Sequence, residues 1–175
     1  GGTTTKIGIV DAQGKVVKRA SLKTAAYPVF TGYVDALHKV LLPLIQEVGG
    51  LSQIKGIGAG LPNGNYYTGC IEFAPNLPWE RKVPFAKLVS EKFNLPCTVT
   101  NDANAAAIGE MTYGVAKGMK NFIMITLGTG LGSGIIINGQ LVYGSDGFAG
   151  ELGHVVMVRH YGRPCGCGRT GCLEA

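Results

Sequence analysis

Residues 146–154 read DGFAGELGH and residues 165–174 read CGCGRTGCLE. Together they hold His154, Cys165, Cys167 and Cys172, three thiols and one imidazole in a single short stretch. Zinc takes four nitrogen or sulfur ligands in a closed tetrahedron, and a Cys3His set supplies that number. The glycines beside Cys167 have a mechanical reason to be there. A C-x-C pair wraps one ion only if the backbone turns sharply, and Gly166 and Gly168 permit positive φ. A plainer reading is three free thiols, or one disulfide with a cysteine left over. Tight clustering beside a histidine, without secretory features, favours the metal. A zinc ribbon for nucleic acid would need a second CxxC-type knuckle, which the sequence lacks. An ion that fixes His154 also fixes Glu151 and Glu174, polar groups that then face something else.

Composition bounds the rest. A chain of 175 residues that is 46% hydrophobic can build a real core. No apolar run reaches the ~18 residues of a membrane span, and no basic-then-apolar leader opens the chain, so a cytoplasmic protein is expected. The net charge of +5 is spread out. Its densest group, Lys15, Lys18, Arg19 and Lys23, alternates like the wet face of a strand rather than a nucleic-acid patch. Twenty-eight glycines without a period suit loops where backbone approaches something closely.

From the start, Gly1-Gly2-Thr3-Thr4-Thr5 precedes a strand at 7–10, a turn at Asp11–Gly14 and a returning strand at 15–22. A Gly-Gly-Thr loop leading into a hairpin can offer N–H groups and hydroxyls to phosphate oxygens. Residues 31–48 carry a helical stripe (Val34, Leu37, Leu41, Leu44, Val48) with Thr31 as its cap, Pro43 as a kink and Gly49-Gly50 as its end. A strand over 54–60 follows. The irregular segment 63–81, with Asn76-Leu77-Pro78-Trp79, suits sugar hydroxyls and C–H faces, or is an ordinary loop with a half-buried Trp79.

Pro84 starts a helix to Phe93, with Phe85, Leu88 and Val89 inward. A strand over 97–100 runs into Asn101-Asp102 and an alanine-rich helix over 103–113. A carboxylate at a strand's end and a helix's start is where open α/β sheets place ligand groups, or it merely caps the helix. The pattern then restarts: a buried strand over 122–127, the loop Gly128-Thr129-Gly130-Leu131-Gly132, a strand over 134–137, the hairpin signal Asn138-Gly139 and a return over 140–143. Two Gly/Thr loops, each leading into a hairpin, suggest two phosphate-holding hairpins in two lobes with a ligand between them.

The segment D-G-x-x-G-E-x-G-H followed by C-G-C-G-x-x-G-C-x-E resembles the signature of the ROK family of sugar kinases and sugar-responsive repressors. The paired hairpins, the G-x-P segment, A-P-N-L-P-W and N-D-A-N fall in that family's order, so the resemblance covers essentially the whole chain. It implies an actin-like ATPase (ribonuclease H-like) two-lobe α/β fold. The N-terminal lobe would span 1–114, and 115–175 would begin a second lobe left incomplete in this chain.

The resemblance further implies an ATP-dependent hexose kinase of glucokinase type acting on the sugar 6-hydroxyl, with Asp102 as general base. Asn76, Asn101, Asp102, Glu151, His154 and Glu174 would hold the sugar, with one ring nitrogen of His154 on the sugar and the other on structural zinc. Gly2, Thr3, Thr4, Gly128, Thr129 and Gly130 would face the nucleotide phosphates with Mg2+. A homodimer is implied, with no membrane partner. Glucose is the expected hexose. Mannose, fructose and N-acetylated hexosamines differ from it at one or two hydroxyls, so single hydrogen bonds decide among them. Two departures stand out. The family's first phosphate motif begins with an Asp upstream of Gly-Gly-Thr, and its members continue past Ala175, so the chain is expected to be a fragment. The rival reading is a sugar-responsive repressor with a DNA-binding region upstream of residue 1; intact glycine loops favour the kinase.

Overall fold

The computed structural model describes residues 3–74, 77–79, 81–128 and 130–175. Internal contacts divide the chain into a unit ending at Asn101 and a unit starting at Asp102.

In the N-terminal unit, β1 (Thr4–Val10) and β2 (Val16–Lys23) pair antiparallel. The Asp11 carboxylate organises their turn by accepting the Gln13 and Lys15 N–H groups at 3.0 and 2.9 Å. The first strand begins earlier than the expected residue 7, because Thr4 and Thr5 already pair with Lys23 and Leu22. Helix α1 (Phe30–Glu47) follows and continues across Pro43. Its start corrects the sequence reading: Val29 is the N-cap with no side-chain bond, and Thr31 lies inside the first turn. The buried stripe also gains Phe30, Tyr33 and Ile45. Burying such side chains contributes roughly 1.5–3 kcal/mol each. Gly49 and Gly50, at φ of 100° and 89°, end the helix as expected.

Strand β3 (Ile57–Leu61) precedes a short hairpin, β4 (Ile71–Glu72) with β5 (Lys82–Val83), inside the segment expected to be irregular. Two-residue strands carry no readable periodicity, so only their pairing reveals them. Lys82 meets the buried Glu72 carboxylate at 3.1 Å, with Thr68 and Asn65 also donating to it. Burial pushes this acid up, but the Lys82 hydrogen bond and charge, with those two donors, outweigh it and hold it below the ordinary carboxylate range. Trp79 donates from its ring N–H to Tyr27 O at 2.9 Å and packs on Phe30 and Tyr33 with centroids 4.9 Å away. Its indole therefore serves the core. Helix α2 (Phe85–Phe93) has Pro84 at its N-cap and buries Phe85, Val89 and Phe93. Strand β6 (Cys97–Asn101) lies parallel to β3.

The C-terminal unit opens with α3 (Asp102–Tyr113), which packs on a meander of β7 (Phe122–Leu127), β8 (Leu131–Ile137) and β9 (Gln140–Leu141). The unit boundary thus falls before α3, whereas the sequence reading set it after residue 114. Small residues are the cause. A Cβ on Gly132 would stand 2.9 Å from Ala103 Cβ, and one on Gly134 would stand 2.6 Å from Ala107 Cβ. Glycines on the strand and alanines on the helix let the two backbones meet closely. Asn138 and Gly139, at φ of 53° and 75°, make the expected two-residue hairpin turn.

One expectation fails in this unit. Strand β7 is half-buried on one side only, with Ile123, Ile125 and Leu127 at 55%, 53% and 83% exposure. Strand side chains alternate, so α3 covers only the other set. Among the described residues, no helix is long and apolar enough to cross a membrane.

Candidate functional site

In the C-terminal unit the strand-to-helix junction places Asp102 on the first turn of α3, exposed, with Oδ1 accepting the Ala103 N–H at 3.0 Å. Asn101, the residue before it, ends β6. Glu151 precedes the 3-10 turn Leu152–His154 and lies close enough to feel both Asp102 and Glu174. Burial pushes the Glu151 carboxyl up; His154 opposes this, and the charges of Asp102 and Glu174 push the same way as burial. An open cavity of about 480 Å³ is lined by Glu151, His154, Val155, Val156, Cys167 and Arg169.

At that cavity, His154, Cys165, Cys167 and Cys172 converge with all four ligand atoms within 4.8 Å of one another. Cys165 Sγ lies 3.6 Å from His154 Nδ1, and Cys167 Sγ lies 3.7 Å from Cys172 Sγ. Zinc at its usual bond lengths and tetrahedral angles sets sulfurs about 3.8 Å apart and sulfur about 3.5 Å from nitrogen. The donor set fits the ion. The thiols differ: a Cys167 backbone bond lowers Cys165, but Glu174, burial and the neighbouring sulfurs raise it to about 12, whereas an Arg169 backbone bond holds Cys167 below the ordinary thiol range. The local backbone corrects one detail, since Gly168 and Gly171 adopt positive φ (87° and 75°) and Gly166 does not.

His154 has two distinct ring faces. Nδ1 points to the cluster, while Nε2 lies 4.0 Å from Glu151 Oε2. Glu174 binds in two directions as well. Oε1 faces Cys165 Sγ at 3.1 Å and His154 Nδ1 at 3.5 Å, and Oε2 accepts the Leu131 N–H at 3.2 Å. The cysteine segment is thereby tied to the glycine turn between β7 and β8.

Of the phosphate-loop residues, Gly128 and Gly130 form that turn, with the Gly128 N–H donating to Gly130 O at 3.0 Å. In the N-terminal unit, Thr3 O accepts the Thr24 N–H at 3.0 Å and Thr4 opens β1. The next residue, Thr5, bonds Thr24 Oγ1 and Tyr33 OH, each at 2.9 Å. Neither Thr24 nor Tyr33 was legible as a support, because the three are far apart in sequence. Gly2, Asn76 and Thr129 lie outside the described residues.

This architecture is that of the actin-like ATPases, a mixed α/β fold shared with solved glucokinase structures. The chain belongs to the ROK family, whose profile matches residues 1–175. A glucokinase of Halalkalibacterium halodurans is 41% identical over 99% of this chain and 53% of that protein. The crystal structure of a ROK family glucokinase from Streptomyces griseus in complex with glucose and AMPPNP aligns with a TM-score of 0.83 and 38% identity, over 99% of this chain and 54% of that one. A xylose repressor of Caldicellulosiruptor bescii is 43% identical over 69% of this chain and 30% of its own length. The chain therefore spans about half the length of the glucokinases it matches.

Proposed function

We propose that this chain is part of an ATP-dependent hexose kinase of glucokinase type. The observation that carries the reading is Asp102, held on the first turn of α3 and close enough to Glu151 for their charges to interact. Phosphoryl transfer needs positioning and charge neutralisation more than covalent help. In this reading the Ala103 N–H orients the Asp102 carboxyl, and its second oxygen takes the proton of the sugar 6-hydroxyl. The sugar 6-oxygen, its proton now on Asp102, attacks the γ-phosphorus as the bond to the ADP leaving group breaks. Asn76, Asn101, Glu151, His154 Nε2 and Glu174 hold the remaining hydroxyls. Gly2, Thr3, Thr4, Gly128, Thr129 and Gly130 face the phosphates, whose charge Mg2+ would neutralise when bound.

His154, Cys165, Cys167 and Cys172 would hold structural zinc, which supplies rigidity to the segment that presents Glu151 and Glu174. Glucose is the favoured hexose, in keeping with the glucokinase relatives. A cytoplasmic homodimer completes the proposal.

The repressor similarity supports a second reading, a sugar sensor with DNA-binding sequence outside this chain. Both glycine loops in the sequence favour the kinase, because a pure sensor has no use for phosphate cradles. ATP-dependent phosphorylation across a panel of hexoses, using the full-length parent, separates the two. Turnover on glucose supports the kinase, and no turnover by a zinc-loaded protein transfers the conclusion to the sensor.

A further inference from the structure

Glu151 stands at the apex of an inverse γ-turn. Its φ of −74° and ψ of 54° match that turn, and the Leu152 N–H closes it on Gly150 O at 2.8 Å. One bond across three residues leaves such a turn free to open unless something outside it holds both arms.

Ser133 on β8 does this. Its hydroxyl donates to Gly150 O and accepts the Leu152 N–H at 3.4 Å, so it bonds the residues on either side of Glu151. A serine hydroxyl has one donor and two acceptor sites, so both bonds can form together. Ser133 is 5% exposed, and water does not compete freely for it. The turn is also pressed onto the strand. A Cβ on Gly150, whose φ is +90°, would stand 3.0 Å from Ser133 O, and a Cβ on Gly153 would stand 2.3 Å from Leu131 O. A side chain at position 150 or 153 would not fit at that separation.

We infer that Ser133 is a positioning residue for Glu151, setting the direction in which that carboxylate is presented to a sugar hydroxyl. The inference rests on the proposed role of Glu151 as a sugar ligand. A residue that merely satisfied buried backbone groups would make the same two bonds, but its loss would lower stability without singling out the sugar.

The test uses the full-length parent and Ser133→Ala. The sugar KM should rise about tenfold, the scale of one hydrogen bond, with the ATP KM and saturated kcat within about twofold. Amide hydrogen exchange at Leu152 should quicken by about the same factor, while exchange in β8 stays unchanged. A sugar KM within about twofold of wild type, or equal rises in both KM values, overturns the assignment. Should Ser133→Ala fail to fold, Ser133→Cys, nearly isosteric with a weaker donor, is read by the same criteria. A wild-type parent that phosphorylates no hexose defeats the kinase reading instead. Leu152 exchange in the variant then decides whether Ser133 holds the turn, and unchanged exchange overturns that too.

Discussion

The two units of this chain hold themselves together by different means. Up to Asn101 the interior is built from large side chains, with Phe30, Tyr33, Ile71, Phe85, Val89 and Phe93 all buried. From Asp102 onward the helix α3 meets strand β8 through alanines and glycines, and Val155, Val156, Met157 and Val158 lie 41–62% exposed. The first unit can draw its stability from apolar burial. The second joins its cysteine segment to the sheet through polar bonds, Ser133 to the Gly150–Leu152 turn and Glu174 to Leu131. The polar groups of the candidate site are thus concentrated in the unit whose segments are joined by polar bonds, where a bound metal would add rigidity.

The sharpest way to break this contrast is Cys165→Ser in the full-length parent. Bound zinc, measured by elemental analysis, should be lost, and amide protection over residues 153–174 should fall by roughly 10³ or more, given the binding free energies of structural zinc sites. Protection in α1 and α2 should be unchanged. Stoichiometric zinc in the variant would refute the ligand set.

Asp102→Asn tests chemistry apart from either unit's stability. Turnover should fall by roughly 10²–10⁴ with sugar affinity little changed, as expected for a general base. A variant with wild-type turnover removes Asp102 from the mechanism.

Phe85→Ala should destabilise the N-terminal unit by about 3–5 kcal/mol in chemical denaturation, the cost of a buried aromatic cavity. Zinc content should stay the same. Gly134→Ala tests the small-residue contact. The added methyl meets Ala107 Cβ at 2.6 Å, and overpacking of that kind costs about 1–3 kcal/mol. Its effect should fall on the C-terminal unit alone. Thr31→Ala is the smallest expected change, within about 0.5 kcal/mol, because Thr31 makes no cap. A loss of about 1 kcal/mol would restore the capping role read from the sequence.

Much was legible in the sequence because its signals were local. The Asp11 turn, the Asn138-Gly139 hairpin and the Gly49-Gly50 stop each depend on residues a few positions apart, the Cys/His set lies within one short stretch, and the structure carries all four. The Asn101-Asp102 junction was equally readable, since a strand pattern ends where a helix pattern starts. What escaped reading was non-local. Trp79 was open between sugar and core until its N–H met Tyr27 O across the fold. Ser133, a lone hydroxyl in a glycine-rich strand, carries no signal until Gly150 and Leu152 fold onto it.

By itself the sequence determined the α/β order of elements, the family signature and the chemical identity of the Cys3His cluster, because backbone turns and ligand types are set by neighbouring residues. Only the tertiary structure decided that α3 belongs with the glycine meander, that β7 is covered on one face, and which oxygen of Glu174 turns to Leu131. Those outcomes depend on which surfaces meet at van der Waals distance. Close approach is a property of two backbones together, and neither one's sequence states it alone.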